Sequence, residues 1–140
     1  MNWKEQAATS HYQTAVAIQQ ALMAKNIEEA EYGIGELAEA LGRSDKRALR
    51  SQLTRLMAHI IKWHIQPERR SRSRIAGISN ARIEIEGILE DEPSQKRNLL
   101  QLWEKSFRDA KKLARDETGI EPKISGLTQE DVFEQEYFFN

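Results

Sequence analysis

The sequence predicts an all-α protein: a single-domain helical bundle of about five helices packed around one long central helix. Two observations carry this. Apolar residues recur at steps of three and four along most of the chain, and no stretch shows the period-two alternation of a strand. Leu49, Leu53, Leu56, Ile60 and Trp63 fall on one helical stripe with Met57 and Ile61 beside it, an arc wide enough to touch more than one neighbouring helix.

The first helix is expected from Gln6 or Ser10 to about Lys25, with Tyr12, Ala15, Val16, Leu22 and Met23 sharing a face and Asn26 as its stop. Gly33 and Gly35 argue against a firm helix before Glu36. A short helical piece, Glu36 to Leu41, is then expected to end at Gly42, a favourable residue just past a helix C-terminus. The central helix is expected from about Ser44, whose hydroxyl can accept from an orphan N–H, to Ile65 or Gln66, where Pro67 stops it. A helix from about Arg70–Ser73 to Glu90 buries Ile75, Ile78, Ala81, Ile85, Ile88 and Leu89. Another, from about Ser94 to Thr118, buries Leu99, Leu102, Trp103, Phe107, Ala110, Leu113 and Ala114, and Gly119 ends it. In the tail from about residue 120, Thr128-Gln129-Glu130-Asp131 reads as an N-capping box. Val132, Phe133, Tyr137, Phe138 and Phe139 are apolar enough to dock on the bundle or to form a self-association patch.

A chain of 140 residues suits one domain spanning 1–140 and can bury a core without disulfides or metal staples. It has no cysteine, which excludes thiol chemistry and cysteine-based zinc sites. No apolar run reaches membrane-spanning length, and Met1 to Gln6 lacks the layout of a signal peptide, so the expected location is cytoplasmic. The net charge of −1 hides a strong segregation. Residues 43–82 hold eleven basic residues against two acidic, whereas residues 1–42 hold two against six and residues 83–140 eight against fourteen. Such asymmetry implies an anionic partner or internal neutralisation.

The runs Leu41-Gly42-Arg43-Ser44, Ala58-His59-Ile60-Ile61-Lys62-Trp63 and Gln66-Pro67-Glu68-Arg69-Arg70-Ser71-Arg72-Ser73 resemble the bacterial family catalogued as domain of unknown function twenty-nine, many of whose members are cyanobacterial. Leu89 to Ser94 and Ala114 to Gly119 fit the same pattern, so the resemblance covers nearly the whole chain. It implies a helical single domain and supplies no activity. The family pattern usually has a tryptophan after the Arg-Ser pair, where this chain has Arg74. Arg74 projects into the apolar arc of its own helix, so either that helix starts later or Arg74 reaches a carboxylate, with Glu31, Glu36 and Glu39 as candidates.

Arg55, His59 and Lys62 lie on one flank of the central helix, and Arg69, Arg70 and Arg72 follow its end. Together these six form the expected binding surface of an interaction module, with an acidic protein or a nucleic acid as partner, because guanidinium groups match carboxylate and phosphate oxygens. No aromatic residue interleaves with the arginines to stack on bases. A second reading takes residues 35–53 as a degenerate helix-turn-helix of a DNA-binding regulator, with Gly42 in the turn. A third centres an enzyme on His59, although no phosphate loop, nucleophile elbow or kinase-type lysine motif is present, so no catalytic residue is assigned. His59 and His64, five residues apart, point in different directions on a helix, and neither a metal nor a cofactor is expected.

Overall fold

The computed structural model describes residues 1–139 and is all-α, with no strand among them. Five α-helices follow in order: α1 (Trp3–Thr9), α2 (His11–Met23), α3 (Ile27–Ile65), α4 (Arg72–Asp91) and α5 (Lys96–Thr118). Short helical turns lie at Pro67–Arg69, Pro93–Gln95 and Glu130–Glu134. No helix among the described residues is long and apolar enough to cross a membrane. The contacts gather into two compact units, Met1–Lys46 and Arg47–Asn140.

In the first unit, the expected single helix is divided at Ser10, whose extended backbone ends α1 while its hydroxyl accepts from the Gln13 N–H to start α2. Asn2 caps α1 by accepting from the Glu5 N–H. Asn26, expected as a stop, instead begins α3 by accepting from the Glu29 N–H. From there α3 runs through Gly33, Gly35 and Gly42 without interruption, so the expected break at Gly42 and fresh start at Ser44 do not occur. An interior glycine costs a helix only about 1 kcal/mol, and at Gly33 packing offsets it. A Cβ there would lie 2.6 Å from Ile18 Cγ1 and 2.9 Å from the Trp3 ring, so the missing side chain lets α3 close on α1 and α2. Trp3, Ile18 and Ala30 form the small core, and the Trp3 indole donates to the Glu29 carboxylate at 2.6 Å.

In the second unit, Leu49, Leu53, Leu56, Met57, Ile60 and Ile61 of α3 are all fully buried, as their periodicity requires. Ile78, Ala81 and Ile85 of α4 and Leu102, Ala110 and Ala114 of α5 complete the core with Leu127 and Val132 of the tail. Ser71 caps α4, and Gly119, at φ +73°, ends α5 in the left-handed conformation that glycine adopts freely. Thr128 and Asp131 make the reciprocal capping bonds their spacing suggests. Tyr137 sets its ring edge-on to Trp63 and donates to the Asp131 carbonyl, while Arg82 donates to the carbonyls of Asp131 and Val132. Phe138 and Phe139 remain exposed.

Candidate functional site: a basic cleft between α3 and α5

Within the second unit, successive turns of α3 present Arg47, Ser51, Thr54 with Arg55, His59 and Lys62 to one side, because steps of three and four keep residues on one helical face. Across from them α5 presents Asp109, Leu113 and Glu117 by the same rule. The two faces enclose a cleft of about 740 Å³. Two ion pairs span it: Arg50 to Asp109 at 3.1 Å and Lys62 to Glu117. Arg47 and Arg55 meet no carboxylate among the described residues, so two cations face the cleft with their charge uncompensated. The Ser51 and Thr54 hydroxyls add donors between them.

His59 is half-buried at the boundary of this cleft and a smaller one of about 530 Å³, lined on the α4 side by Gly77, Asn80 and Glu84. Its ring lies against Gly77, where a Cβ would come within 3.1 Å of Cε1. Burial lowers the imidazole pKa below its usual 6.5, and Lys62, Arg55 and Arg74 push it further down against the opposing pull of Glu117. His59 is therefore predominantly neutral at pH 7, with one ring nitrogen as a donor and the other as an acceptor. An anion entering the cleft would favour its protonated form.

The arginine run divides. Arg69 and Arg72 are exposed. Arg70 lies over the Trp63 ring at 5.0 Å and its Nε donates to the Trp63 carbonyl at 3.0 Å. Arg74 finds no carboxylate: it donates to the Lys62 carbonyl at 3.3 Å and to Gln66 Oε1 at 2.7 Å. The Trp63 carbonyl lies among the terminal carbonyls of α3 left without a partner in the helix, and the Lys62 carbonyl, which also accepts from the Gln66 N–H at 3.0 Å, takes Arg74 as a second donor. Arg70 and Arg74 thus cap that terminus, where cations are also favoured by the helix dipole.

Of the six residues expected to form one surface, Arg55, His59 and Lys62 share the cleft, and none of Arg69, Arg70 and Arg72 lines it. Arg47 and Arg50 belong to the cleft and were missed, although Arg47 lies two steps of four before Arg55. The helix-turn-helix geometry expected over residues 35–53 is absent, because α3 is one uninterrupted helix there and supplies no turn to set two helices at an angle. No group of three or more histidine or acidic side chains among the described residues is placed to hold a metal ion.

No curated protein and no solved structure matches the chain at a meaningful level. A family model does: Domain of unknown function DUF29 matches residues 9–138, which spans both units, and the chain belongs to that family.

Proposed function

We propose that the protein is an interaction module whose α3–α5 cleft binds an acidic segment of a partner protein. The observation that carries this reading is the pair of uncompensated guanidinium groups, Arg47 and Arg55, on a concave face that also offers the Ser51 and Thr54 hydroxyls and a neutral His59. Each guanidinium can take a carboxylate with two parallel hydrogen bonds. Ala58 and Leu113 supply apolar surface for the stem of a glutamate side chain. The cleft contains no phenylalanine, tyrosine or tryptophan ring on which successive bases could stack, and His59 is the one ring in its lining, which favours a carboxylate-bearing polypeptide over a nucleic acid.

The test is a fluorescence anisotropy titration of a labelled oligoglutamate peptide, with labelled single-stranded and duplex DNA as comparisons. The expected result is peptide binding that weakens with salt and is lost in Arg47→Glu/Arg55→Glu, with Arg69→Glu/Arg72→Glu much less affected. Absence of peptide binding at low salt, or equal loss in both double variants, overturns the assignment to this cleft. Tighter binding of DNA than of peptide would transfer the site to a phosphate backbone.

A further inference from the structure

The smaller cleft, between α3 and α4, holds two opposite charges that do not pair. The chain doubles back through Pro67–Arg69, and the His59 ring rests on Gly77. From that contact the two helices run in opposite directions, so Gln52, seven residues before His59, stands about level with Glu84, seven after Gly77. Arg55 stands about one turn nearer His59. Gln52 and Arg55 of α3 and Asn80 and Glu84 of α4 all line the cleft. The Arg55 and Glu84 side chains are exposed, and neither forms an ion pair with the other or with any charged group among the described residues. Gln52 Oε1 is buried with no hydrogen-bond partner, so that wall is short of a donor. Ile83, at the rim, is 61% exposed.

We propose that this cleft binds a free α-amino acid with an apolar side chain. Such a ligand carries a cation and an anion on one carbon with hydrocarbon beside them, and the cleft offers the complement of each. The Arg55 fork takes the carboxylate with two parallel hydrogen bonds. Glu84 takes the ammonium, whose further hydrogens have the amide oxygens of Asn80 and Gln52 as acceptors. Ala81 and Ile83 give the ligand's side chain an apolar wall. A polyanion would bring negative charge against Glu84 and a simple amine would meet Arg55, so a small molecule bearing both signs is the class that fits. The volume of about 530 Å³ falls within the roughly 300–1,000 Å³ of small-molecule sites. Arg55 also lines the α3–α5 cleft, but Asn80, Ile83 and Glu84 belong to this one alone, so the site does not rest on the reading of the other.

Isothermal titration calorimetry of the full chain tests this with leucine, N-acetylleucine, leucinamide and alanine. Leucine is expected to bind saturably to one site. N-acetylleucine and leucinamide, each lacking one of the two charged groups, should bind at least about tenfold more weakly, and alanine roughly severalfold more weakly for want of contact with Ile83. Glu84→Gln should weaken leucine at least about tenfold while leaving the circular dichroism spectrum and the binding of the oligoglutamate peptide unchanged. Arg55→Gln should weaken leucine to a similar degree, whether or not the wild type takes the peptide. Failure of leucine to bind at millimolar concentration overturns the proposal. So does leucine binding that is indifferent to Glu84→Gln, or equal binding of N-acetylleucine, which would reduce the ligand to a simple carboxylate held by arginine.

Discussion

Arg74→Ala removes the two-pronged cap at the end of α3, and the structure sets the size of the effect. Gln66 is only 6% exposed, and its Oε1 accepts from Arg74 at 2.7 Å. Truncation leaves that oxygen buried without its donor, at a cost of about 1–3 kcal/mol. Loss of the cation from the α3 carbonyl terminus adds roughly 0.3–1 kcal/mol. A smaller return comes from α4, because Arg74 stands in its first turn, where a positive charge is unfavourable. The net loss is about 1–3 kcal/mol, and in a cooperative unit of under about 100 residues each kcal/mol lowers the melting temperature by roughly 4–8 °C. Thermal melts followed by far-UV circular dichroism should therefore place Arg74→Ala clearly below the wild type, while Arg69→Ala and Arg72→Ala melt with it. Arg74→Lys should recover only part of the loss, since an ammonium lacks the rigid fork that reaches two acceptors. If Arg74→Ala melts together with Arg72→Ala, the capping argument is wrong and the residue is a surface charge.

Other consequences are open to simple measurement. Gly33→Val should destabilise by about 1–3 kcal/mol in urea denaturation, because its side chain collides with Ile18 and Trp3, whereas Gly87→Ala, with open space around the new methyl, should stabilise by about 0.5–1 kcal/mol. Because the His59 pKa is lowered on folding, the unfolded chain takes up the proton first. Stability should then fall as the pH drops below 6.5 toward the folded value, and His59→Gln should flatten that slope; matching slopes in the two proteins would remove His59 as its source. The Tyr137 phenol is pushed up to about 12, by burial first and then by Asp131, against the pull of Arg82. The stability it confers should be complete below the ordinary tyrosine value of about 10 and be lost as the pH rises toward 12. Ultraviolet titration should show a late tyrosine step that vanishes in Tyr137→Phe; a spectrum in which the late step survives would assign it elsewhere.

The helical class and the buried stripe from Leu49 to Trp63 were legible because an apolar period of three and four is a local property that packing then respects. Helix ends were less legible. Gly42 and Ser44 carry the residue types of a boundary, yet a helix interior tolerates both at about 1 kcal/mol, and nothing in the chain obliged the helix to stop there. Gly33 shows the opposite case, in which a residue that locally weakens a helix is required by the Trp3 indole and the Ile18 side chain brought from α1 and α2. The cleft was half legible: Arg55, His59 and Lys62 could be placed on one flank from their spacing, but Asp109 and Glu117 reach it only through tertiary packing.

The arginine cluster explains why charge counting along a sequence overstates a binding surface. Residues 43–82 hold eleven cations against two acids, but a cation is available to a partner only when nothing in the fold already accepts its donors. Backbone carbonyls at a helix end are acceptors that no count of acidic residues includes, and α3 ends beside the densest part of the run. Arg70 and Arg74 are engaged there without any carboxylate, and Arg50 and Lys62 are held by α5. Of the cations that line the cleft, Arg47 and Arg55 remain, two turns apart on the same helix. The separation matters for mechanism: neutralising the arginines of the 69–74 run together would mix a loss of stability with any loss of binding, whereas Arg47 and Arg55 can be exchanged without breaking a contact inside the fold. A partner that depends on Arg47 and Arg55 while the melting temperature stays fixed would locate recognition in the cleft, on chemistry that the capping arginines cannot supply.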